Sequence, residues 1–482
     1  MKKKLFVLAV SIFFVCLGAM AQLKEKGYQE SLTWKKLNAT PAPLKQIGNV
    51  REALPDGSGN SLWSVGCETI ERGFTVYDEY KQFVGKLGGV GYARLMSGWA
   101  KTETQRGVYD FDWLDAIVDD MLSKGVCPWM CICYANPIYG GGLIDLDTPL
   151  WTDEDTMQGW LAYVKELVIR YKGKIKMYEI WNEPNGGNGK KYPERYVNVF
   201  IHTAELIREL DSEAKIAGLA IAGANSPQYV EAVMMSIAEK GKAHLMDYAT
   251  FHPYSHNPDN TVDAIKAFGS LVTKYAPNTR ILQGENGTNA QLQHAFALSN
   301  YEWTEYSQAK WYVRRMSTDF RLGIPSSIFT MADIKYNHTV NTKGLLKTDL
   351  KGRVIWKRPA FHAVSHCASI LSPKFSADNT LKAESDVGVD VIGLVKDGTK
   401  VGAMVWINGA IPNDELTQTK HNVVVKNLNL NDPVWIEPIT GRVCELETFQ
   451  NIGQDVLLNI PIWDSQIFVI ERKDAPIKLM SE

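Results

Sequence analysis

The sequence predicts an α/β fold, a (β/α)8 TIM barrel followed by a C-terminal antiparallel β-sandwich. Between residues 61 and 372, short apolar runs alternate with helical stretches, which is the pattern of parallel strands joined by crossover helices. Eight such pairs close a barrel. Beyond Pro373 the pattern changes to short alternating runs separated by turns such as Asn408-Gly409, which is typical of a sandwich. The 482 residues also exceed what one hydrophobic core usually holds.

The barrel strands are predicted from apolar runs that stop at glycine, proline or polar residues. They cover residues 62–66, 92–96, 126–133, 177–181, 215–221, 246–251, 279–287 and 326–331. Helices are predicted over 77–87, 153–171, 193–210, 304–321 and 356–370. The sandwich is predicted over 373–482, and a polar lead-in over 22–60 is expected to pack on the sandwich or the barrel.

The first 21 residues predict an export signal. Three lysines follow Met1, an apolar run covers residues 5–17, and Ala19-Met-Ala21 provides small residues before a cleavage site after Ala21. We therefore expect a secreted or periplasmic protein. A lipid anchor at Cys16 is disfavoured because its neighbours fit a lipoprotein cleavage box poorly. No later apolar run reaches the roughly 18 residues of a membrane span, so no membrane insertion is expected after signal removal.

Composition excludes some partners and cofactors. The formal net charge of -2 argues against a nucleic-acid partner, which favours a basic face. It is compatible with an acidic polysaccharide, because a local cluster of Lys and Arg suffices for that. Cys127, Cys131 and Cys133 are spaced so that a metal or redox site can be considered, but no paired CxxC or histidine cluster accompanies them. We expect them on a buried strand, with no metal and no cofactor.

Two glutamates stand where predicted barrel strands become loops. Glu183 lies in KMYEIWNEPN (176–185), directly before Pro184, and Glu285 lies in TRILQGENG (279–287). Barrel enzymes carry their chemistry at the carboxyl ends of the strands. A single glutamate there is usually a surface residue, but two can face each other across the barrel mouth. Retaining glycoside hydrolysis needs such a pair, about 5–5.5 Å apart, with one acid and one nucleophile.

The segment from Glu179 to Asn185, with Trp181-Asn182-Glu183-Pro184 at its centre, resembles the acid/base signature of the clan of retaining glycoside hydrolases built on this barrel. It is most similar to family 39, the xylosidase and iduronidase group. Lys176 and Tyr178 stand where that family tends to carry tryptophan and phenylalanine. The resemblance implies that Glu183 is the acid/base after the fourth strand and that Glu285 is the nucleophile after the seventh.

The same resemblance implies supporting roles for four residues. Arg94 on the second strand would hold Glu285 as an anion, and the alternative is a barrel-interior arginine paired with any nearby acid. Asn182 would donate to the sugar 2-hydroxyl. Tyr254 would orient the nucleophile, and His252 is either part of the site or an ordinary satisfied histidine.

Aromatic residues in the mouth loops are candidates for stacking on sugar rings, with simple packing as the alternative for each. They are Trp99, Tyr134, Tyr139, Trp151 and Trp303. Many members of the clan carry a tryptophan at the end of strand eight, where this chain has Phe329, Met331 and Asp333. The sequence therefore leaves the shape of the terminal sugar's subsite open.

Together these features predict a secreted retaining glycoside hydrolase, favoured as an exo-acting enzyme on plant or host glycans. Its partners would be oligosaccharides, polysaccharides or glycosides. The alternatives are an endo-acting glycanase resembling families 5 or 30, a non-catalytic carbohydrate-binding barrel and a metal-dependent hydrolase. The sandwich is expected to pack against the barrel rather than to bind sugar.

Overall fold

The computed structural model describes residues 28–140 and 150–480, and its centre is a closed barrel of eight parallel strands. In chain order they are β1 (Trp63–Gly66), β2 (Val90–Met96), β3 (Cys127–Ile132), β4 (Met177–Ile180), β5 (Lys215–Ala222), β6 (Tyr248–His252), β7 (Arg280–Asn286) and β8 (Ser326–Ile328). The barrel closes because Ser326 of β8 pairs with Trp63 of β1. The predicted barrel is confirmed.

One α-helix follows each strand in the outer ring. They are α1 (Tyr77–Tyr80), α2 (Asp112–Ser123), α3 (Glu154–Tyr171), α4 (Pro193–Leu210), α5 (Pro227–Glu239), α6 (Val262–Tyr275), α7 (Glu305–Arg321) and α8 (Pro359–Ile370). A one-turn helix, Trp99–Thr102, precedes α2, and short 3₁₀ segments cover Lys81–Phe83, Gly189–Lys191, Ala243–Leu245 and Pro258–Thr261. Prolines begin α4, α5 and α8, where a missing N–H costs little.

Two predicted helices are shorter than expected. The first is an α-helix only to Tyr80 and continues as a 3₁₀ segment over Lys81–Phe83; it does not reach residue 87, because Gly85 adopts a left-handed backbone angle. The last begins at Pro359 instead of residue 356, because Val354–Lys357 pairs as a strand with Leu346–Thr348. Strand β8 ends at Ile328, three residues earlier than predicted.

The C-terminal region forms two antiparallel sheets that face each other across an apolar core. The eight-stranded sheet contains Ser376–Asp378, Val389–Lys396, Thr399–Ile407, Ile467–Glu471, Pro433–Glu437, Arg442–Glu445, Gln46–Val50 and Ile477–Leu479. The four-stranded sheet contains Ala383–Ser385, Lys420–Val425, Asp455–Pro461 and Phe449–Ile452. The lead-in thus contributes both a helix, Leu32–Ala39, and one strand of the larger sheet.

Helix α7 joins the sandwich to the barrel through buried polar contacts. Lys310 forms an ion pair with Asp464 at 2.6 Å, and Arg314 Nη1 donates to the carbonyl of Ala410 at 2.6 Å. Both side chains on α7 are fully buried. Removing one partner of such a buried pair leaves a charge without compensation, so these contacts fix how the two units sit together.

Small sheets complete the mouth side. Gln29–Glu30 pairs with Val354–Lys357, and Ile334–Lys335 forms a hairpin with Val340–Asn341 in the loop after β8. In the part of the chain that the structure describes, no helix combines the length and the apolar character of a membrane span. The predicted signal peptide lies outside the described residues, as do Gly141 and Gly142 of the glycine-rich loop after β3.

Candidate active site

Glu183 is positioned by two irregular backbone segments. Beyond the end of β4, Trp181 and Glu183 adopt left-handed φ angles of 71° and 50°, which cost of order 1–3 kcal/mol each in non-glycine residues. The N–H of Glu183 donates to the carbonyl of Ala220 at 2.8 Å, at a bulge in β5. Such strain persists only where the surroundings enforce it, and it is common at active sites.

Glu285 lies on β7, one residue before its end, and both its oxygens accept hydrogen bonds. Tyr254 donates its hydroxyl to Oε1 at 2.6 Å, and Arg94 Nη1 lies 3.1 Å from Oε2. Burial, together with the charge of Glu285, raises the pKa of Tyr254, so the tyrosine remains a donor. Donors from β2 and from the loop after β6 thus hold both oxygens of Glu285 and fix the orientation of the carboxylate.

The two glutamates meet over the barrel mouth. One carboxylate oxygen of Glu183, one of Glu285 and a ring nitrogen of His252 all lie within 4.8 Å of one another. Inverting glycosidases hold their carboxyl groups about 6.5–9.5 Å apart to leave room for a water, and retaining enzymes about 5–5.5 Å. The approach of the nearest oxygens of Glu183 and Glu285 is thus shorter than the inverting range.

Arg94 is fully buried and joins four polar side chains at the base of the site. Besides Glu285 it contacts Glu179 through Nε at 3.0 Å and Nη2 at 2.5 Å, Asn182 Oδ1 at 2.8 Å and Glu68 Oε1 at 3.3 Å. Both readings of Arg94 therefore hold: it contacts the predicted nucleophile and also pairs with other interior acids.

His252 belongs to the site. Its Nδ1 lies 2.8 Å from Glu183 Oε1 and 3.9 Å from Glu285 Oε2. Burial opposes a charge on the ring, but the neighbouring Glu285 and Glu183 outweigh it and raise the pKa of His252. The imidazole is thus placed to influence the charge on both glutamates.

Asn182 lies beside Glu183 and links two parts of the mouth. Its amide nitrogen donates to the Tyr134 hydroxyl at 2.9 Å while its oxygen accepts from Arg94. A sugar hydroxyl would share or replace the Tyr134 contact. Asn182 and Tyr134 both line the cavity above the glutamates.

The predicted aromatic residues separate into two groups. Trp99 and Tyr134 line the cavity, although both are almost fully buried, and Trp99 donates to Glu103 at 2.5 Å. Tyr139, Trp151 and Trp303 are buried and do not line it. Trp151 packs at 5.5 Å from Trp181 in an aromatic cluster beneath the mouth. These three residues therefore pack inside the protein, as the alternative to sugar stacking describes.

The cavity has a volume of about 970 Å³, and several of its wall residues escaped the sequence analysis. They are Glu71, Arg72, Phe74, Phe296 and Tyr336. Phe329 lines it as well, whereas Met331 and Asp333 are buried away from it, and Asp333 pairs with Arg358 at 2.6 Å. Glu68, beneath the cavity, was also missed. Glu68 follows the end of the first barrel strand, so its position in the sequence is the same kind of signal that indicated Glu183 and Glu285.

The group of Glu183, His252 and Glu285 also has the donor types of a metal site. However, Glu285 already accepts from Arg94 and Tyr254, and Glu183 pairs with His252. The Arg94 guanidinium supplies the positive charge that a cation would otherwise supply. The six described cysteines are free thiols, and Cys131 and Cys133 are buried at the end of β3.

The barrel and its mouth glutamates define a glycoside hydrolase. Residues 89–271 match the family model of glycosyl hydrolases family 39. The matched segment runs from the start of β2 through most of α6; it includes Glu183, His252 and Tyr254 and ends before Glu285.

Solved structures share the fold. A family 39 glycoside hydrolase from the gut symbiont Bacteroides cellulosilyticus WH2 has a TM-score of 0.64 and 16% identity over 87% of this chain and 82% of that one. A monomeric β-xylosidase from Caulobacter crescentus CB15 has a TM-score of 0.58 and 16% identity over 87% of this chain and 97% of its own. A family 30 endoxylanase from Clostridium papyrosolvens C71 has a TM-score of 0.57 and 12% identity over 89% of this chain and 99% of its own.

Proposed function

We propose that this glycoside hydrolase is a retaining, exo-acting glycosidase that uses Glu183 as acid/base and Glu285 as nucleophile. The observation that supports this most directly is the approach of one Glu183 oxygen to one Glu285 oxygen within 4.8 Å. The contacts of Glu285 with Arg94 and Tyr254 place a positive charge and a hydrogen-bond donor beside its two oxygens.

In the first step Glu285 attacks the anomeric carbon while protonated Glu183 gives its proton to the leaving oxygen. The bond to the leaving group breaks as the ester to Glu285 forms. In the second step Glu183, now ionised, takes a proton from water, which attacks the same carbon and releases Glu285. Two displacements on one carbon restore its original configuration.

The exo mode is proposed from the resemblance to family 39 at the motif around Glu183, and the cavity of about 970 Å³ has the size of a ligand pocket. The similarity in fold to a β-xylosidase makes xylosides the first substrates to test. The second candidate is endo cleavage, which the similarity in fold to an endoxylanase favours. We also propose export, with the mature chain beginning at Gln22, which N-terminal sequencing of the mature protein checks directly.

The deciding experiment follows the anomer formed first. A panel of aryl xylosides, arabinosides, glucosides, galactosides and mannosides identifies a substrate, and proton NMR then records the configuration of the initial product. Retention is expected. Inversion, or full turnover in Glu285→Ala, would rule the mechanism out. Glu285→Gln serves as the matched variant, because it keeps the shape of the side chain and removes only the attacking charge.

A further inference from the structure

Glu71 and Arg72 form an ion pair on the cavity wall that the catalytic steps do not use. They lie in the loop after β1, where Arg72 Nε donates to Glu71 Oε1 at 2.7 Å. The side chains are only 14% and 5% exposed for Arg72 and Glu71, respectively. Gly98 makes room for them, because a Cβ at its left-handed position would lie 2.6 Å from Glu71 Cβ. The pair is therefore a built feature of the mouth.

Arg72 keeps hydrogen-bonding capacity for a ligand. Its Nη2 has only a weak contact with Met96 Sδ at 3.6 Å, and no residue within 28–140 or 150–480 accepts from Nη1. Glu71 Oε2 likewise has no donor in the described chain. Because Glu71 Oε2 is buried from solvent, Arg72 Nη1 is the donor open to a sugar hydroxyl, and Glu71 holds the guanidinium in place.

Three aromatic side chains, which we call the aromatic wall, adjoin this pair: Phe74, Phe296 and Tyr336. Ring centroids of Phe74 and Phe296 each lie 5.1 Å from that of Tyr336, and all three line the cavity. The Arg72 guanidinium carbon lies 5.3 Å from the Phe74 ring centroid. Sugar rings stack their C–H faces on such surfaces.

The pair is also connected to the catalytic residues. The Arg72 guanidinium carbon lies 5.0 Å from the ring centroid of Tyr134, and the Tyr134 hydroxyl accepts from Asn182, next to Glu183. A sugar held between the aromatic wall and Arg72 thus occupies the cavity in which Glu183 and Glu285 meet.

The charges of the wall favour a neutral sugar. Glu71 compensates the charge of Arg72, and Glu285 adds a carboxylate to the same cavity. Lys101 is a further cation on the wall, but its ammonium lies 3.4 Å from the Ile70 carbonyl and 4.4 Å from the Trp113 ring centroid. Its charge is turned towards the protein rather than left for a substrate anion.

We propose that Arg72, together with Glu71, is a specificity-determining contact for the hydroxyls of a neutral sugar that stacks on the aromatic wall. This inference rests on the proposed glycosidase function and adds the substrate class, a neutral polyhydroxylated glycoside rather than a uronoside or sulfated sugar.

The test combines Arg72→Lys with substrates that lack single hydroxyls. Lysine keeps the charge opposite Glu71 but loses the guanidinium donors. Arg106→Lys is the matched control, because Arg106 also pairs with a carboxylate, Asp155, and covers an aromatic ring, Tyr139, without lining the cavity. For the best neutral aryl glycoside, KM should rise roughly tenfold or more in Arg72→Lys with little change in kcat. Arg106→Lys should stay near wild type.

Deoxy analogues locate the contact. If Arg72 binds a hydroxyl, the deoxy analogue at that position loses affinity in the wild type and suffers no further loss in Arg72→Lys. Two results would overturn the inference. One is that the loss of affinity from Arg72→Lys and the loss from a missing hydroxyl multiply at every ring position. The other is that a uronoside is a better substrate than its neutral counterpart. Glu71→Gln, read on the same analogues, gives the answer if Arg72→Lys fails to fold. A wild type inactive on every glycoside would instead count against the proposed function itself.

Discussion

Glu68 and Glu285 share one nitrogen of a single guanidinium. Arg94 Nη1 lies 3.3 Å from Glu68 Oε1 and 3.1 Å from Glu285 Oε2, while the rest of the guanidinium contacts Glu179. Three carboxyl groups thus face one cation in a buried site. Glu68 has the longest contacts of the three, and its other oxygen lies 3.3 Å from the Thr330 hydroxyl. Burial raises the pKa of Glu68 from 4.5 to about 7. Arg94 lowers this pKa, but the charge of Glu285 raises it further.

Replacing Glu68 with glutamine should therefore change how stability depends on pH. Because the folded-state pKa of this acid is raised, the unfolded chain loses the proton first, and the contribution of Glu68 to the free energy of unfolding falls as pH rises from about 4.5 to about 7. Glu68→Gln removes this cost, a gain on the order of 3 kcal/mol above pH 7 and little near pH 4. Denaturant unfolding at several pH values measures the difference.

The exposed residue Glu239 provides the control. Glu239→Gln should follow the wild-type pH dependence throughout. A difference between Glu68→Gln and wild type that does not grow with pH would show that Glu68 is not the group that keeps the proton.

Tyr254→Phe should lower kcat roughly ten- to hundredfold and change KM much less. The variant removes the 2.6 Å hydrogen bond to Glu285 Oε1, and a bond to a charged group is worth about 1.5–3 kcal/mol. Steady-state kinetics on an aryl glycoside measures it. Tyr229→Phe is the control, since the Tyr229 hydroxyl is buried on α5 and has no partner among the described residues. Equal kcat values in the two variants would contradict a role for Tyr254 in the reaction.

The barrel and the two mouth glutamates could be predicted because they depend on local patterns. Apolar runs that stop at glycine or proline define strands, and strand ends converge at one edge of the sheet. Arg94, Asn182 and His252 followed from the resemblance at the motif around Glu183. In the structure Arg94 contacts Glu285 and Asn182, and His252 contacts Glu183.

The remainder of the site depends on loops that no local pattern specifies. Arg72, Phe296 and Tyr336 come from segments after three different strands, and their meeting is set by tertiary contacts such as the bond from the N–H of Lys335 to the carbonyl of Phe74 at 2.9 Å. Trp151 illustrates the packing alternative that the sequence left open. It lies in a predicted mouth loop, yet it is 4% exposed, because neighbouring tryptophans take it into the core.

Activity should survive a strong chelator. Glu183, His252 and Glu285 have donor atoms within 4.8 Å of one another, but Arg94 and Tyr254 already occupy the oxygens of Glu285. Dialysis against EDTA followed by kinetics in metal-free buffer should leave kcat within error. Loss of activity that a divalent cation restores would instead support the metal-dependent alternative.

Product length on a polymer should distinguish exo from endo cleavage. If the cavity of about 970 Å³ accepts a chain end, short sugars should accumulate from the start while the polymer remains long. Chromatography of early time points on xylan measures this. Medium-length oligomers in the first samples would favour the endo mode.

The loss of activity in Glu183→Ala should depend strongly on the leaving group of the substrate. Loss of the acid slows departure of a poor leaving group such as a sugar, whereas a nitrophenolate leaves without protonation. The variant should therefore retain measurable turnover on nitrophenyl glycosides and lose far more, roughly 10²–10⁴-fold, on an oligosaccharide. Because the base for the second step is also missing, the glycosyl-enzyme on Glu285 should accumulate and give a burst of nitrophenol. Added azide should accelerate its release. Glu285→Ala, which cannot form this ester, should show neither burst nor turnover on the same substrates. A Glu183→Ala enzyme with the same loss on both substrate types, and no burst, would assign the acid/base role to another residue.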